Sequence, residues 1–203
     1  MNQPSLPELS APAPAFWQRR PQLMWGLAVF GLTAGLTYAA FPPIGTGEAA
    51  YAMLLPAVLW AYRKPDFKAY ATAVLGAQVV AWIGLLAWLH HVSWFGMVAL
   101  GTLSGLLNGL WFLAVWWYVP RLTGHRVYFR LLALLGLAGL WVMGEWLRGV
   151  IFGGFPWLPL AASQWQRPLL LQVASVGGAW VVSYVLVCFN LGAAAYAHRI
   201  FYE

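Results

Sequence analysis

Charge is scarce in this chain. Of its 203 residues, eleven are Lys or Arg and five are Asp or Glu, 8% in all. A soluble domain carries about 25% charged residues, so a globular, water-facing surface is excluded. Cysteine is scarcer still: Cys188 stands alone in the run VVSYVLVCFN. One cysteine allows no internal disulfide and no CxxC metal or redox site. Apolar surroundings suppress the reactive thiolate, so Cys188 reads as a small packed hydrophobe rather than a nucleophile. There is no Walker loop, no GxSxG elbow and no HExxH, and the only lysines are Lys64 and Lys68. Nothing places a nucleophile, a base and an oxyanion donor on one face. The net charge of +6 invites a nucleic-acid reading. Its basic residues are scattered in ones and twos between apolar runs, with no basic face or recognised motif, so no nucleic-acid partner is expected.

What is abundant is apolar surface, 62% of the residues, and a bilayer is the solvent that accepts it. A spanning helix needs roughly 20 apolar residues. Six stretches qualify or come close: about 22–41, 47–62, 69–90, 95–119, 128–148 and 169–197. The second is short and contains Pro56. The first exceeds the apolar length of a signal core and reads as a retained span. Ahead of it, Pro4, Pro7, Pro12 and Pro14 among Ser and Ala indicate a disordered tail. The expected fold is therefore an all-α integral membrane protein. It comprises a tail over 1–21 and a polytopic membrane domain over 22–203, a bundle of about six transmembrane helices with an outer re-entrant or interfacial loop. Gly101-x3-Gly105-x3-Gly109 in the fourth span forms a small-residue packing face, with Asn108 beside it.

Basic residues in short loops set the orientation. Arg19, Arg20, Arg63, Lys64, Lys68, Arg121, Arg126, Arg130 and Arg199 fall on one side, which is expected to be cytoplasmic. Only Arg148 and Arg167 fall on the other side, which is expected to be outer. There the sequence EWLRGVIFGGFPWLPL, residues 145–160, sets Glu145 and Arg148 three positions apart on one helix face. Charge at membrane depth costs several kcal/mol unless paired or near water, which makes such residues functional candidates. The competing reading is a mutually neutralised pair with Arg148 snorkelling to the headgroups. Gly149, Gly153 and Gly154 then permit unusual backbone angles, and Phe155-Pro156-Trp157 sets aromatics around a rigid turn. Trp157 and Trp165 suit the headgroup level. A long connection broken by Gly and Pro, 149–168, has the composition of a functional loop.

Two other outer segments read as structural. Phe41-Pro42-Pro43-Ile44-Gly45-Thr46-Gly47-Glu48 is a rigid turn that places Thr46 or Glu48 near a new helix N-terminus. His90 and His91 are interfacial turn residues between Trp88 and Trp94. Adjacent histidines do not share a helix face, and no third ligand has suitable spacing, so no metal is expected.

Glu145-Trp-Leu-Arg-Gly149 followed by Gly154-Phe-Pro-Trp157 resembles the E-x-L-R-G…G-F-P-W signature in the membrane part of the apolipoprotein N-acyltransferases. Ala40-Phe41-Pro42-Pro43, Ser163-Gln164 and Pro168-Leu169 are similar to that family as well, and the likeness runs in order over roughly 25–197. The resemblance implies a multi-pass enzyme of the bacterial inner membrane. Its family moves an acyl chain from a phospholipid, through a thioester, to the diacylglyceryl-cysteine at an apolipoprotein N-terminus. The chemistry belongs to a periplasmic nitrilase-like domain with a Glu-Lys-Cys triad, placed after a seventh span. No triad residue carries over onto this chain, so no catalytic residue and no cofactor are assigned, and the chain alone is expected to be inactive. Its end at Glu203 is expected to mark a piece of a longer acyltransferase rather than a separate subunit.

Within that resemblance, Glu145, Arg148, Phe155, Pro156, Trp157 and Trp165 are the candidate substrate-binding residues. Arg148 would contact a phosphate or steady the loop through Glu145, and the aromatics would line the path of the acyl chain. The expected partners are the phospholipid donor, the apolipoprotein, the nitrilase-like domain and the membrane. Two alternatives stand beside this reading. One is a small transporter with a polar path through Gln78, Asn108 and Gln172. The other is a non-catalytic membrane scaffold.

Overall fold

The computed structural model describes residues 16–151 and 154–202. Seven α-helices follow in order: α1 (Phe16–Ala40), α2 (Leu55–Tyr62), α3 (Phe67–Leu85), α4 (Trp94–Leu122), α5 (Val127–Val150), α6 (Pro168–Leu171) and α7 (Ala174–Tyr202). No strand occurs among the described residues. α1, α3, α4, α5 and α7 are long and apolar enough to cross a membrane. Their outward faces carry side chains such as Leu32, Val80, Leu110, Leu132, Leu135 and Val185, all exposed. Water rejects such an exterior and lipid accepts it, so the chain is a multi-pass membrane bundle. The expected tail over 1–21 is helical from Phe16 onward, and its first fifteen residues lie outside the described residues.

Local chemistry accounts for several helix starts. Asp66 Oδ2 accepts from Ala69 N at 3.2 Å and caps α3, and Ser93 Oγ accepts from Gly96 N at 3.0 Å and caps α4. The glycine stripe finds its partner on α3. β-Carbons at Gly101, Gly105 and Gly109 would come within 2.8, 2.6 and 2.7 Å of Ile83, Val79 and Leu75. The two sets step by four residues in opposite directions, so the antiparallel backbones of α3 and α4 meet along the whole stripe.

Two expected spans take a different form. The segment 47–62 is a 3-10 turn, Gly47–Tyr51, followed after a break by the eight residues of α2, with Pro56 in its first turn. Asn190 of α7 bridges the break: Oδ1 accepts from Leu54 N at 3.1 Å, and Nδ2 donates to Ala50 O at 2.8 Å. Ala50, Leu54, Ala57, Val58 and Ala61 are wholly buried, so this broken segment is the middle of the bundle. The expected sixth span, 169–197, is likewise interrupted. α6 ends at Leu171, and α7 departs from helical geometry at Gly177 and Gly178, the latter at φ +70.

Contacts sort the chain into two ends. At one, the Arg63 guanidinium lies 4.3 Å from the Trp25 ring centroid, and Tyr62 stacks on His198. Trp116 Nε1 donates to Pro65 O there as well. At the other end lie the α1–α2, α3–α4 and α5–α7 connections.

Candidate functional site

α5 carries Glu145 and Arg148 in its last two turns, both 4% exposed. They make no ion pair with each other within 4.0 Å. Each instead grips the connection that follows. Glu145 Oε1 accepts from Leu160 N at 2.6 Å and from Trp141 Nε1, one turn back on the helix, at 2.8 Å. Arg148 Nη2 donates to Leu158 O at 3.3 Å, and its guanidinium lies 4.4 Å from the Trp82 ring centroid on α3. Leu158 has the left-handed φ of 49, uncommon for a branched residue, and the Arg148 bond fixes that turn. Both readings of the pair are thereby revised. Arg148 does not snorkel, and the two side chains hydrogen-bond to the loop backbone rather than to each other.

Gly154 has φ +84, and a β-carbon there would lie 2.5 Å from Gly149 O. Only glycine fits, because the chain doubles back onto the end of α5, with Phe155 N donating to Arg148 O at 3.0 Å. The reading of Gly153 falls outside the described residues. Phe155 stacks on Trp157 at 6.1 Å, and Trp157 meets Trp88 of the α3–α4 connection at 5.3 Å between centroids. Pro156 and Trp157 are exposed. Trp165 is exposed too but stands elsewhere, beside Gly45, whose β-carbon would lie 4.0 Å from its Nε1. The six candidate residues are thus one group around Glu145 and Arg148 and one outlier, Trp165.

The α1–α2 connection belongs to the same end. Gln164 Nε2 donates to Gly47 O at 2.8 Å, and a β-carbon on Gly47 would meet Ser163 O at 2.9 Å. Arg167 pairs with Glu48. Ser183 of α7 accepts from Ala161 N at 3.0 Å. The turn around cis Pro42–Pro43 therefore does more than join two helices: it is the floor on which residues 160–167 rest. His90 and His91 occupy a turn, as expected. They sit in a 3-10 turn, Ala87–His91, and their rings lie 3.8 Å apart. Gln164, Ser183, Glu48 and Arg167 had no local signal as partners. Gln164 and Gly47 are 117 residues apart, and only the fold brings them together.

Between α4 and α5, below Glu145, lies an apolar groove of about 200 Å³ lined by Leu107, Leu110, Trp111, Leu140, Trp141 and Leu147. Trp141 belongs to both features, with one edge on Glu145 and its ring T-shaped against Trp111 at 5.1 Å.

Residues 33–192 match the model of the apolipoprotein N-acyltransferase N-terminal domain family. Among curated proteins, the apolipoprotein N-acyltransferase of Gloeobacter violaceus is 30% identical over 187 residues, 85% of this chain and 34% of that protein. That of Geobacter metallireducens is 28% identical over 166 residues, 79% of this chain and 31% of that protein. A shorter match to the Vibrio parahaemolyticus protein reaches 43% over 65 residues, 32% of this chain and 12% of that protein. The chain thus spans about a third of the length of the first two relatives.

Proposed function

This chain belongs to the apolipoprotein N-acyltransferase N-terminal domain family, and from that premise we propose that it is the membrane part of such an enzyme. The whole protein would transfer an acyl chain from a phospholipid to the N-terminal diacylglyceryl-cysteine of lipoproteins in the bacterial inner membrane. The bond-making groups belong to a nitrilase-like domain, and this bundle binds the lipid-tailed substrates laterally and presents their reactive ends to it. Holding both substrates beside the catalytic groups turns bimolecular encounters into local ones. The basic end faces the cytoplasm, and the 149–168 connection faces the periplasm.

The observation that carries this reading is the bracket made by Glu145 and Arg148. Two buried charges hold the loop backbone at Leu158 and Leu160, the loop so held carries Phe155, Pro156 and Trp157, and α5 forms an apolar groove with α4. That supports positioning roles for Glu145 and Arg148 and a lipid-contacting role for Phe155, Pro156 and Trp157. Trp165 would contact the catalytic domain or a second substrate on the other side of the platform. Direct phosphate contact by Arg148 is disfavoured by its burial. The transporter reading loses support at two of its three candidates: the amide nitrogen of Gln78 donates to Thr37 Oγ1 at 3.2 Å and that of Asn108 to Ser104 O at 2.9 Å.

The test is acyl transfer by the full-length protein in membranes with Trp157→Ala. A drop of roughly tenfold, equivalent to about 1.4 kcal/mol of barrier, is expected with folding unchanged. Full activity in a folded Trp157→Ala variant would remove the lipid-contacting role.

A further inference from the structure

The end of the bundle remote from Glu145 holds a second built feature. The α2–α3 turn is tied to the last turns of α4 by Trp116, whose Nε1 donates to Pro65 O at 2.9 Å and whose ring packs on Phe67 at 4.9 Å. Between that turn and the α4–α5 turn opens a cavity of about 660 Å³, lined by Lys64, Pro65, Trp116, Arg121, Thr123 and His125. Arg121 is held in place: its guanidinium lies 3.8 Å from the Trp117 ring centroid, and Nη1 donates to Trp117 O. A guanidinium has five N–H donors, so the others remain for a ligand. Lys64 has no side-chain hydrogen bond or ion pair among the described residues.

Among the described side chains, acidic residues are few at this end. Glu48 and Glu145 sit at the opposite end, and Glu8 and Glu203 lie outside the described side chains. Asp66 is the acidic residue that remains, and its carboxylate caps α3. Arg63, Lys68, Arg126 and Arg130 fall in or beside the same two turns as the two cations of the cavity. Exposed Trp117 and Tyr118 flank Arg121, as aromatic side chains do at the headgroup level.

We propose that this cavity is a headgroup site for an anionic phospholipid, with Lys64 and Arg121 on the phosphate and the Trp116 side as its wall. Basic pockets between transmembrane helices suit such headgroups, and the apolar exterior beside Trp117 offers a path for the acyl tails. The site is remote from the 149–168 loop and does not depend on acyl transfer.

The purified chain in a non-ionic detergent is titrated with phosphatidylglycerol, phosphatidylcholine and inorganic phosphate, and adducts are counted by native mass spectrometry. Phosphatidylglycerol should bind at least about tenfold more tightly than phosphatidylcholine. Each basic residue near an anionic headgroup is worth about fivefold in affinity, so Lys64→Asn with Arg121→Gln should cost roughly 25-fold. Asparagine suits position 64 because it tolerates the φ of 53 found there. Lys68→Gln, outside the cavity, should cost less than about twofold. Equal binding of phosphatidylcholine, an equal loss with Lys68→Gln, or displacement by inorganic phosphate at matched concentration would each overturn the proposal. Should the double variant unfold, Lys64→Asn alone decides: a loss under about twofold overturns the site.

Discussion

A single oxygen, Glu145 Oε1, serves two donors that lie 19 residues apart in sequence, Trp141 Nε1 and Leu160 N. Removing it strands both in a buried site, at about 1–3 kcal/mol for an unsatisfied group. Glu145→Ala should therefore lower stability by about 3 kcal/mol, read as loss of the thermal transition in detergent. Glu145→Gln keeps one acceptor oxygen and should retain most of that stability. If both substitutions cost the same, the carboxylate's charge, not its hydrogen bonds, would be what matters. The sequence made these two charges conspicuous and placed them on one helix face correctly. Their partners were hidden, because a spacing of three suggests a mutual pair, whereas the backbone of a loop ten or more residues downstream competes for each side chain and wins.

At the scale of elements, legibility depended on whether a pattern was local. The stripe Gly101, Gly105, Gly109 repeats every four residues, and a face of that kind has one use, the close approach of another helix. Gly105→Val would drive a β-carbon to 2.6 Å from Val79 Cα, with backbone rather than a flexible side-chain end in the way. Overpacking of that sort costs about 1–3 kcal/mol or more, and the variant should lose its cooperative melt or elute as aggregate. The broken segment 47–62 was legible only as short and proline-bearing. What lets it break inside the bundle is Asn190, which supplies an acceptor to Leu54 N and a donor to Ala50 O across the gap. In the run VLVCFNLG that residue gave no sign of its partners 136 and 140 positions away. Asn190→Leu leaves both backbone groups unsatisfied in an apolar interior and should cost about 2–4 kcal/mol, while Asn190→Gln should recover part of it if its amide reaches the same atoms.

Across the whole molecule the ends differ in kind. One gathers the loop cations around Trp116 and Arg121, and the other gathers three connections tied by Glu145, Arg148, Gln164 and Glu48. Loop charge alone predicted this division, because the positive-inside rule needs only the order of spans and basic residues, not their packing. It holds although one span is broken, since the contacts of Trp25 with Arg63 and of Gly47 with Gln164 put the two limits of that segment at opposite ends. The orientation can be read directly. In a Cys188→Ser background, Lys68→Cys and Trp165→Cys place a single exposed thiol at each end, both sites being solvent-facing in the bundle. A membrane-impermeant maleimide added to intact spheroplasts should label the Trp165→Cys protein and spare the Lys68→Cys protein until the membrane is opened. Labelling of both before lysis would mean that the broken segment does not carry the chain across. The reverse order would turn the bundle over, and the Phe155–Trp157 platform would then face away from any periplasmic catalytic domain.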